Sequence, residues 1–526
     1  MGVSFNIIHE PCIPVYMLNG KSVELSVRET FEKAQEIESV YTVSIFEEYG
    51  IKRFLVAFLM DWMRFKTDED IAEQLKKGHF DMDSFDEYVS MCEKKDDVFN
   101  LFSQTRPFYQ VNDPKKDEIV SVRQIIYDLA AGSNHTFFEE NQEIFSYAEC
   151  FRALVTVSPF LYGKSGEGYY GGVNGDSPYY GFLKGNNLFH ELLINSVSQD
   201  TWNTYMAKND DGLPIIPYCY EDGKGFPVLW RSDVDIEYTK KKRSDINLLD
   251  GLTFMSRRLK LIPEEDGVRQ IYFGPGNGYL IKDDKTKVIS PWRDIFCIYS
   301  NKKKQTVLKP TDGHPFWLDC YPIFDWQKNT KPLILSKFKL ESSSYISNMC
   351  MSKFGLNRIE LSVYGGYNPG GNGIYKWWSR DVLRLPVDII SDEEKVDVFC
   401  DVLNKIIKCS KEIKSNLFSE KERKNGKFSL EYYYNDLQPF VETELVQLLV
   451  NSEDLDSVSK EAYQRIFDSA INCYKKNFDG VDIYKKDSRF SSAKEQINEY
   501  NRSAIVVYHE DLRRLRNILI KMLGLK

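Results

Sequence analysis

Apolar residues recur at helical spacing through much of 27–97, in RETFEKAQEIESV, FEEYGIKRFLVAFLMDWMRFK and DMDSFDEYVSMCEKK, and this predicts helices there. Ahead of them, FNIIHEPCIPVYMLNGKSVELSV reads as two short strands around a turn at Asn19-Gly20, a strong hairpin signal. Arg106-Pro107 interrupts the helical pattern in LFSQTRPFYQV (101–111). From about 112 to 385 the texture changes. Short β-like runs such as GFPVLW and IELSVYG alternate with loops rich in Gly, Asn and Pro, and with an occasional helix such as NLFHELLINSV. After Pro386 the pattern is helical again, in four long segments: EEKVDVFCDVLNKIIKCSKEIKSNLF, SLEYYYNDLQPFVETELVQLLVNS, DSVSKEAYQRIFDSAINCYKKNF and SAKEQINEYNRSAIVVYHEDLRRLRNILIKML. Pro439 is expected to bend the second. Short polar connections between the four predict an up-and-down bundle. The fold class is therefore α+β, a large mixed N-terminal domain (1–385) followed by a C-terminal four-helix bundle (386–526).

Composition narrows the class of protein. At 526 residues the chain exceeds a single core, and 42% hydrophobic with 28% charged residues is ordinary for a soluble globular protein. A net charge of −9 argues against coating nucleic acid by bulk electrostatics, so any such contact must be local or assisted by partners. The longest apolar run, IKRFLVAFLM (51–60), is interrupted by charge and too short for a membrane span. The N-terminus lacks the regions of a signal peptide, and Asn6 occupies the Ser/Thr position of a myristoylation motif. A cytoplasmic protein with no membrane partner is expected. The ten cysteines include no CxxC pair, and the six histidines form no HExxH or HxH. Reduced thiols, no metal and no cofactor are the expectation.

No GxSxG, P-loop, HExxH or EF-hand pattern is present, and GPGNG (274–278) is followed by Tyr279 where a third glycine would be needed. Nothing assembles a nucleophile, a base and an orienting group. Four loop features stand out instead. GSNHTFFEENQEIFSYAE (132–149) carries Phe137 and Phe138, which by themselves read as aromatics pinning a loop to the core. YGKSGEGYYGGVNGDSPYYG (162–181) is rich in glycine and tyrosine; it reads as a flexible loop, or as backbone able to approach a groove or phosphate. YLIKDDKTKV holds Lys282, Lys285 and Lys287, with Asp283 and Asp284 weakening their field as in a solvated hairpin tip. The last is LSVYGGYNPGGNGIYKWWSRD (361–381), where five glycines and a proline fall within 365–373 and Tyr375, Lys376, Trp377, Trp378 and Arg380 follow. Composition alone makes this a glycine-rich hairpin backed by an aromatic strand. Glycines that let backbone approach a partner, next to aromatic and basic side chains, also suit phosphates and flat bases.

Several segments resemble one family, CasA, the large subunit of the type I-E CRISPR-associated Cascade complex. FNIIHEPCIPV (5–15) resembles its N-terminal strand motif, with Cys12 where a tryptophan is usual, and RPFYQV (106–111) its Pro-Phe-x-Gln segment. KGNNLFHELLINSV (184–197) is similar to an Arg-Gly-Asp segment leading into an apolar helix. LTFMSRRLKL (252–261) resembles a Leu-Thr-Trp-x-Ser-Arg-Arg strand, with Phe254 for tryptophan, and IELSVYGGYN (359–368) the entry to a wedge loop. All five run in the family's order and precede the expected bundle. The resemblance implies a non-catalytic subunit of an RNA-guided surveillance complex. Such a subunit reads the motif beside the protospacer through the minor groove of double-stranded target DNA. It helps open the duplex and then recruits a helicase-nuclease, while guide RNA and other Cascade subunits are its standing partners. It also implies site residues: Phe137 and Phe138 in the first loop, with Glu139 where an asparagine can occur, and Gly171 and Gly172 in a glycine loop. One of Lys282, Lys285 and Lys287 would enter the groove. Gly370, Gly371 and Asn372 would form the wedge, which lacks the glutamine of well-studied members. Arg513 and Arg516 in DLRRLRNILIKML, with Arg514, would steer the displaced strand, or else form the solvated basic end of a helix. The reading from another class is a nucleic-acid hydrolase with a dispersed active site.

Overall fold

Ser44 begins the helix on which the N-terminal part of the chain is built. Its side chain accepts the backbone N–H of Glu47, and Glu47 and Glu48 complement the positive end of the helix dipole. The helix runs Ile45–Met63 and stops at Arg64, which takes a left-handed φ of 49° and returns its N–H to the Met60 carbonyl. Nearly every position between Phe46 and Trp62 is buried, so this helix is a core element with no solvated face.

The structure is a computed structural model, and it describes residues 3–114, 117–126, 143–160, 174, 178–206, 216–219, 228–231, 246–276, 294–299, 307–311, 314–319, 332–338, 358–367, 377–390, 392–417, 430–479 and 497–525. The chain divides into two compact units, Met1–Pro310 with Thr330–Leu383, and Thr311–Asn329 with Arg384–Lys526. The fold class read from the sequence holds: a large mixed unit and a helical one.

In the first unit, β1 (Ile13–Met17) is the centre of a small antiparallel sheet between β2 (Ser22–Leu25) and β3 (Ile37–Val40). The turn between β1 and β2 places Gly20 at φ +83°, a conformation that glycine takes without Cβ strain, and the hairpin forms where Asn19-Gly20 predicts it. Between β2 and β3 lies α1 (Val27–Glu32), and the long core helix is α2 (Ile45–Met63). The sequence pattern made RETFEKAQEIESV one helix; the structure ends α1 at Glu32 and pairs β3 with β1 instead. Ile37 and Val40, apolar and β-branched, are buried by that pairing, so tertiary burial outweighs the local helical spacing. After α3 (Asp68–Lys77) and α4 (Met82–Cys92), a second sheet has the order β4 (Glu118–Ser121), β7 (Gly267–Pro275), β6 (Arg257–Glu264). The third has the order β5 (Tyr180–Leu183), β8 (Arg358–Tyr367), β9 (Trp377–Pro386).

Helix α5 (Tyr147–Val157) and the short α6 (Leu188–Asn195), α7 (Gln199–Tyr205) and α8 (Leu248–Leu252) complete this unit. An aromatic cluster fills the space beside α2: Phe58 stacks on Phe85 at 5.5 Å, while Phe54 meets Phe151 and Trp230 edge-on. Each fully buried ring of this size contributes roughly 1.5–3 kcal/mol of transfer free energy. GFPVLW, expected as a strand, instead ends in a 3₁₀ turn over Leu229–Arg231. That turn delivers the Trp230 indole N–H to the Tyr88 hydroxyl at 2.8 Å inside the cluster, a long-range pairing that local β pattern does not anticipate.

The second unit holds α9 (Phe316–Asp319), α10 (Val387–Ile390), α11 (Glu393–Leu417), α12 (Glu431–Pro439), α13 (Leu445–Asn451), α14 (Leu455–Asp479) and α15 (Ile497–Leu523). Val402, Ile406, Cys409 and Ile413 on α11 and Leu515, Leu519 and Leu523 on α15 are buried at helical spacing. The four helical segments read from the sequence are α11, the α12–α13 pair, α14 and α15. Pro439 has no N–H to donate, and the turn after it, Phe440–Glu444, opens into π-helical geometry. Thr311–Asn329 joins this unit although it lies inside the β-textured stretch, and Trp317 on α9 meets the Tyr434 ring edge-on at 6.4 Å.

Candidate nucleic-acid interface

Three of the loop segments singled out in the sequence are rooted on one side chain cluster around α2. Two residues frame the first, 161–177: Tyr180 on β5 donates its hydroxyl to the carbonyl of Pro159, so the strand after the segment is tied to the chain before it. Tyr180 stacks on Tyr49 of α2 at 4.5 Å. Within the segment Asn174 is described; its Nδ2 donates to Asp294 Oδ2 at 2.8 Å and to Tyr180 Oη at 3.2 Å.

Asp294 is the residue on which the lysine-bearing segment 277–293 returns. Its carboxylate also receives Arg53 of α2 at 2.7 Å and the backbone N–H of Phe296 at 2.9 Å. Arg53 donates further to the carbonyl of Leu252 and lies over the Tyr180 ring. Burial, the largest influence, would drive the guanidinium toward neutrality, but Asp294, Tyr49 and Tyr180 together more than offset it and raise its pKa. The cluster thus joins the return of one segment to the root of the other.

The third segment, 368–376, lies between β8 and β9. Tyr364 on β8 and Arg380 on β9 stand equally far from its two ends, and both bind Glu48 of α2. Tyr364 donates its hydroxyl to Glu48 Oε1 at 2.7 Å, and Arg380 Nη1 reaches Oε1 at 3.0 Å and Oε2 at 2.8 Å. Lys52, one turn on, completes the group: its ammonium has Glu48, Glu191 of α6 and the Tyr364 hydroxyl as partners at 3.0, 3.0 and 3.2 Å. The contacts to Glu48 and the Tyr364 hydroxyl are hydrogen bonds, while Glu191 meets the ammonium as an ion pair. Burial would lower the Lys52 pKa, yet Glu191, Tyr364 and Glu48 together hold it well above the usual value. Burial alone would raise Glu48; Lys52, the Tyr364 hydroxyl and Arg380 keep it below the ordinary carboxylate range. The β8 stem also needs a glycine: a Cβ on Gly365 would stand 2.5 Å from the Tyr179 ring.

Of the site residues expected from the sequence, Phe137, Phe138, Gly171, Gly172, Lys282, Lys285, Lys287, Gly370, Gly371 and Asn372 lie outside the described residues, as does Glu139. What the structure supplies is their roots. The first loop returns beside β7, where Phe145 pairs with Val268 and Arg269 bonds Glu143 at 2.9 Å; this is the opposite end of β7 from the start of 277–293. The structure therefore brings together the roots of three segments and sets the fourth at the far end of a strand. Arg513 and Arg516 are described and exposed on α15, with Arg514 beside them and Leu515 turned into the unit. Lys476 of α14 is exposed as well and lies over the Tyr432 ring. Among the described residues no group of His, Cys, Asp and Glu is arranged to hold a metal ion, and no helix is long and apolar enough to cross a membrane.

Sequence reasoning did not single out Glu48, Lys52, Arg53, Glu191 or Asp294. The one available signal was charge inside the apolar run 51–60, which reads equally as a solvated interruption. Two of the motif segments are joined structurally. The Gln110 side chain of RPFYQV donates to the carbonyl of Leu101 and accepts the N–H of Leu261 at 2.7 Å, on the strand of LTFMSRRLKL. Arg258 of that strand is buried against Asp117.

A family model described as CRISPR-associated protein Cse1 matches residues 6–467. A CRISPR-associated protein CasA/Cse1 from Thermus thermophilus is 29% identical over 327 residues, 60% of this chain and 59% of that relative, so the match spans under two thirds of the relative's length. The solved structure of Thermus thermophilus CasA (Cse1) superimposes with a TM-score of 0.69 at 20% identity, covering 97% of this chain and 99% of that one. A chain of a structure described as a CRISPR RNA-guided surveillance complex does so with a TM-score of 0.62 at 15% identity, covering 91% and 100%.

Proposed function

The chain belongs to the CRISPR-associated Cse1 family, and from that premise we propose that it is the DNA-recognition subunit of a type I-E RNA-guided surveillance complex. In this role it binds guide RNA and the other Cascade subunits in the cytoplasm, reads the protospacer-adjacent motif in double-stranded target DNA, and helps open the duplex. It then recruits a helicase-nuclease and cleaves nothing itself. The observation that carries the reading is the common rooting of 161–177, 277–293 and 368–376 on Tyr49, Arg53, Glu48 and Lys52 of α2.

Gly171 and Gly172 are within three residues of Asn174, and a fully extended stretch of that length spans only about 11 Å. Glycine backbone and a lysine suit a minor groove about 6 Å wide, which excludes a helix and displays a degenerate pattern. Opening the first base pair costs a few kcal/mol of unstacking, and contacts made only to the distorted duplex offset it. Gly370, Gly371 and Asn372 are assigned that role, with Asn372 or bare backbone in place of the family's glutamine. Pairing to guide RNA then reads the rest of the target. Phe137 and Phe138 are assigned to the guide end and the motif, and Arg513 and Arg516 to the displaced strand.

Single alanine replacements of Lys282, Lys285 and Lys287 in the assembled complex test the reading. The groove-entering lysine is the one whose loss weakens binding to motif-bearing duplex and lowers the salt slope by about one unit. Unchanged binding in all three variants would refute a lysine contact in the groove.

A further inference from the structure

The group that joins Tyr364 of β8 to Arg380 of β9 contains two carboxylates, Glu48 and Glu191, and two cations, Lys52 and Arg380. Three of the four are buried to within a few per cent of full exclusion from solvent, whereas the Arg380 side chain is 47% exposed. Arg380 is also the member carried by β9, on the far side of the wedge segment from Tyr364. With Arg380 in place the charges balance. With β9 displaced, Glu48 and Glu191 share Lys52 alone, and one buried negative charge is left without a partner. Leaving a charge buried and unpaired is among the costliest changes a core can undergo. A second contact acts in the same place: the Trp378 ring packs against Phe46 of α2 at 5.3 Å.

We propose that Arg380 is a positioning residue, and that its pairing with Glu48 is an electrostatic latch holding the β8–β9 stem on α2 so that Gly370, Gly371 and Asn372 meet the duplex in register. The inference rests on the wedge reading given above. It assigns to Arg380 no contact with DNA. Its effect passes through Glu48, which holds both stems at once, through the Tyr364 hydroxyl on one side and the guanidinium on the other. One guanidinium nitrogen, Nη1, spans both carboxylate oxygens of Glu48, so the latch is a charge-assisted contact to each of them.

The test uses the complex assembled on guide RNA and two targets, an intact duplex and the same duplex with its first protospacer pairs mismatched open. Opening is read from the fluorescence of 2-aminopurine at the first pair. Arg380→Gln is expected to slow opening of the intact duplex by about tenfold, within the range produced by residues that couple sites, and to leave binding of the pre-opened target within about twofold. The double variant Glu48→Gln/Arg380→Gln keeps only the Lys52–Glu191 pair, so the buried charges balance again. It is expected to regain the melting temperature of the parent chain while opening stays slow. Opening that recovers in step with melting temperature would overturn the latch and make Arg380 a purely structural residue. Normal opening by Arg380→Gln, alongside loss of opening when Gly370, Gly371 and Asn372 are replaced, would overturn the latch alone. Normal opening by that loop variant would overturn the wedge reading and the latch with it.

Discussion

Arg53 and Asp294 meet at 2.7 Å with both side chains essentially excluded from solvent. The pair ties the centre of α2 to the residue on which the lysine-bearing segment returns, and Asn174 joins it from the glycine-rich segment. Replacing Arg53 with methionine leaves the Asp294 carboxylate buried without its counter-charge. The expected loss is about 3–5 kcal/mol of stability, seen as a lower urea midpoint of the isolated chain. An unchanged midpoint would show that the pair does not hold the core.

Such pairs mark the limit of what the sequence makes legible. The hairpin at Asn19-Gly20, the distortion at Pro439 and the helical spacing of α11, α14 and α15 are local patterns, and local chemistry predicts them. The loops were legible as composition, and the five ordered motif segments identified the family whose model spans 6–467. The common root of the loops was not legible. Glu48 meets Arg380, Lys52 meets Glu191 and Arg53 meets Asp294 only after distant parts of the chain pack together. Periodicity reads neighbours a few residues apart and carries no signal for such pairs. The same holds for β3, where pairing with β1 overrides a helical pattern.

Gly365 faces the Tyr179 ring closely enough that no Cβ fits without movement. Gly365→Ala is expected to cost about 1–3 kcal/mol by overpacking. The closest clash is with the Tyr179 ring and a looser one, at 3.1 Å, with Pro310 Cγ, so adding Tyr179→Leu should return part of the loss. A Gly365→Ala chain that melts like the parent would contradict the packing.

Glu48 has a lowered pKa in the folded chain, from charge partners that outweigh its burial. Its contribution to stability is therefore present above the unfolded glutamate value of about 4.3 and is lost as pH falls through the lower folded value. Glu48→Gln removes that component. Melting temperature plotted against pH should fall less steeply below about pH 4.3 in the variant than in the parent. Parallel acid limbs would show that Glu48 is not held ionised by its partners.

Arg513 and Arg516 are exposed on α15, so replacing both with alanine should leave the urea midpoint unchanged. If they meet the phosphates of the displaced strand, the log–log salt slope for target binding falls by about two units, one per lost contact. An unaltered slope would assign them to a solvated helix end.

The measurement that tests the central claim most directly is motif discrimination by the guide-RNA complex assembled with this chain and without it. Two duplexes are compared, identical in protospacer and differing only in the flanking motif. With the chain present, binding should favour the motif-bearing duplex by at least about fivefold, since one wrong base pair typically costs about 1–3 kcal/mol; without it the two should bind alike. Equal preference in both assemblies, or no preference when the chain is present, would contradict the account.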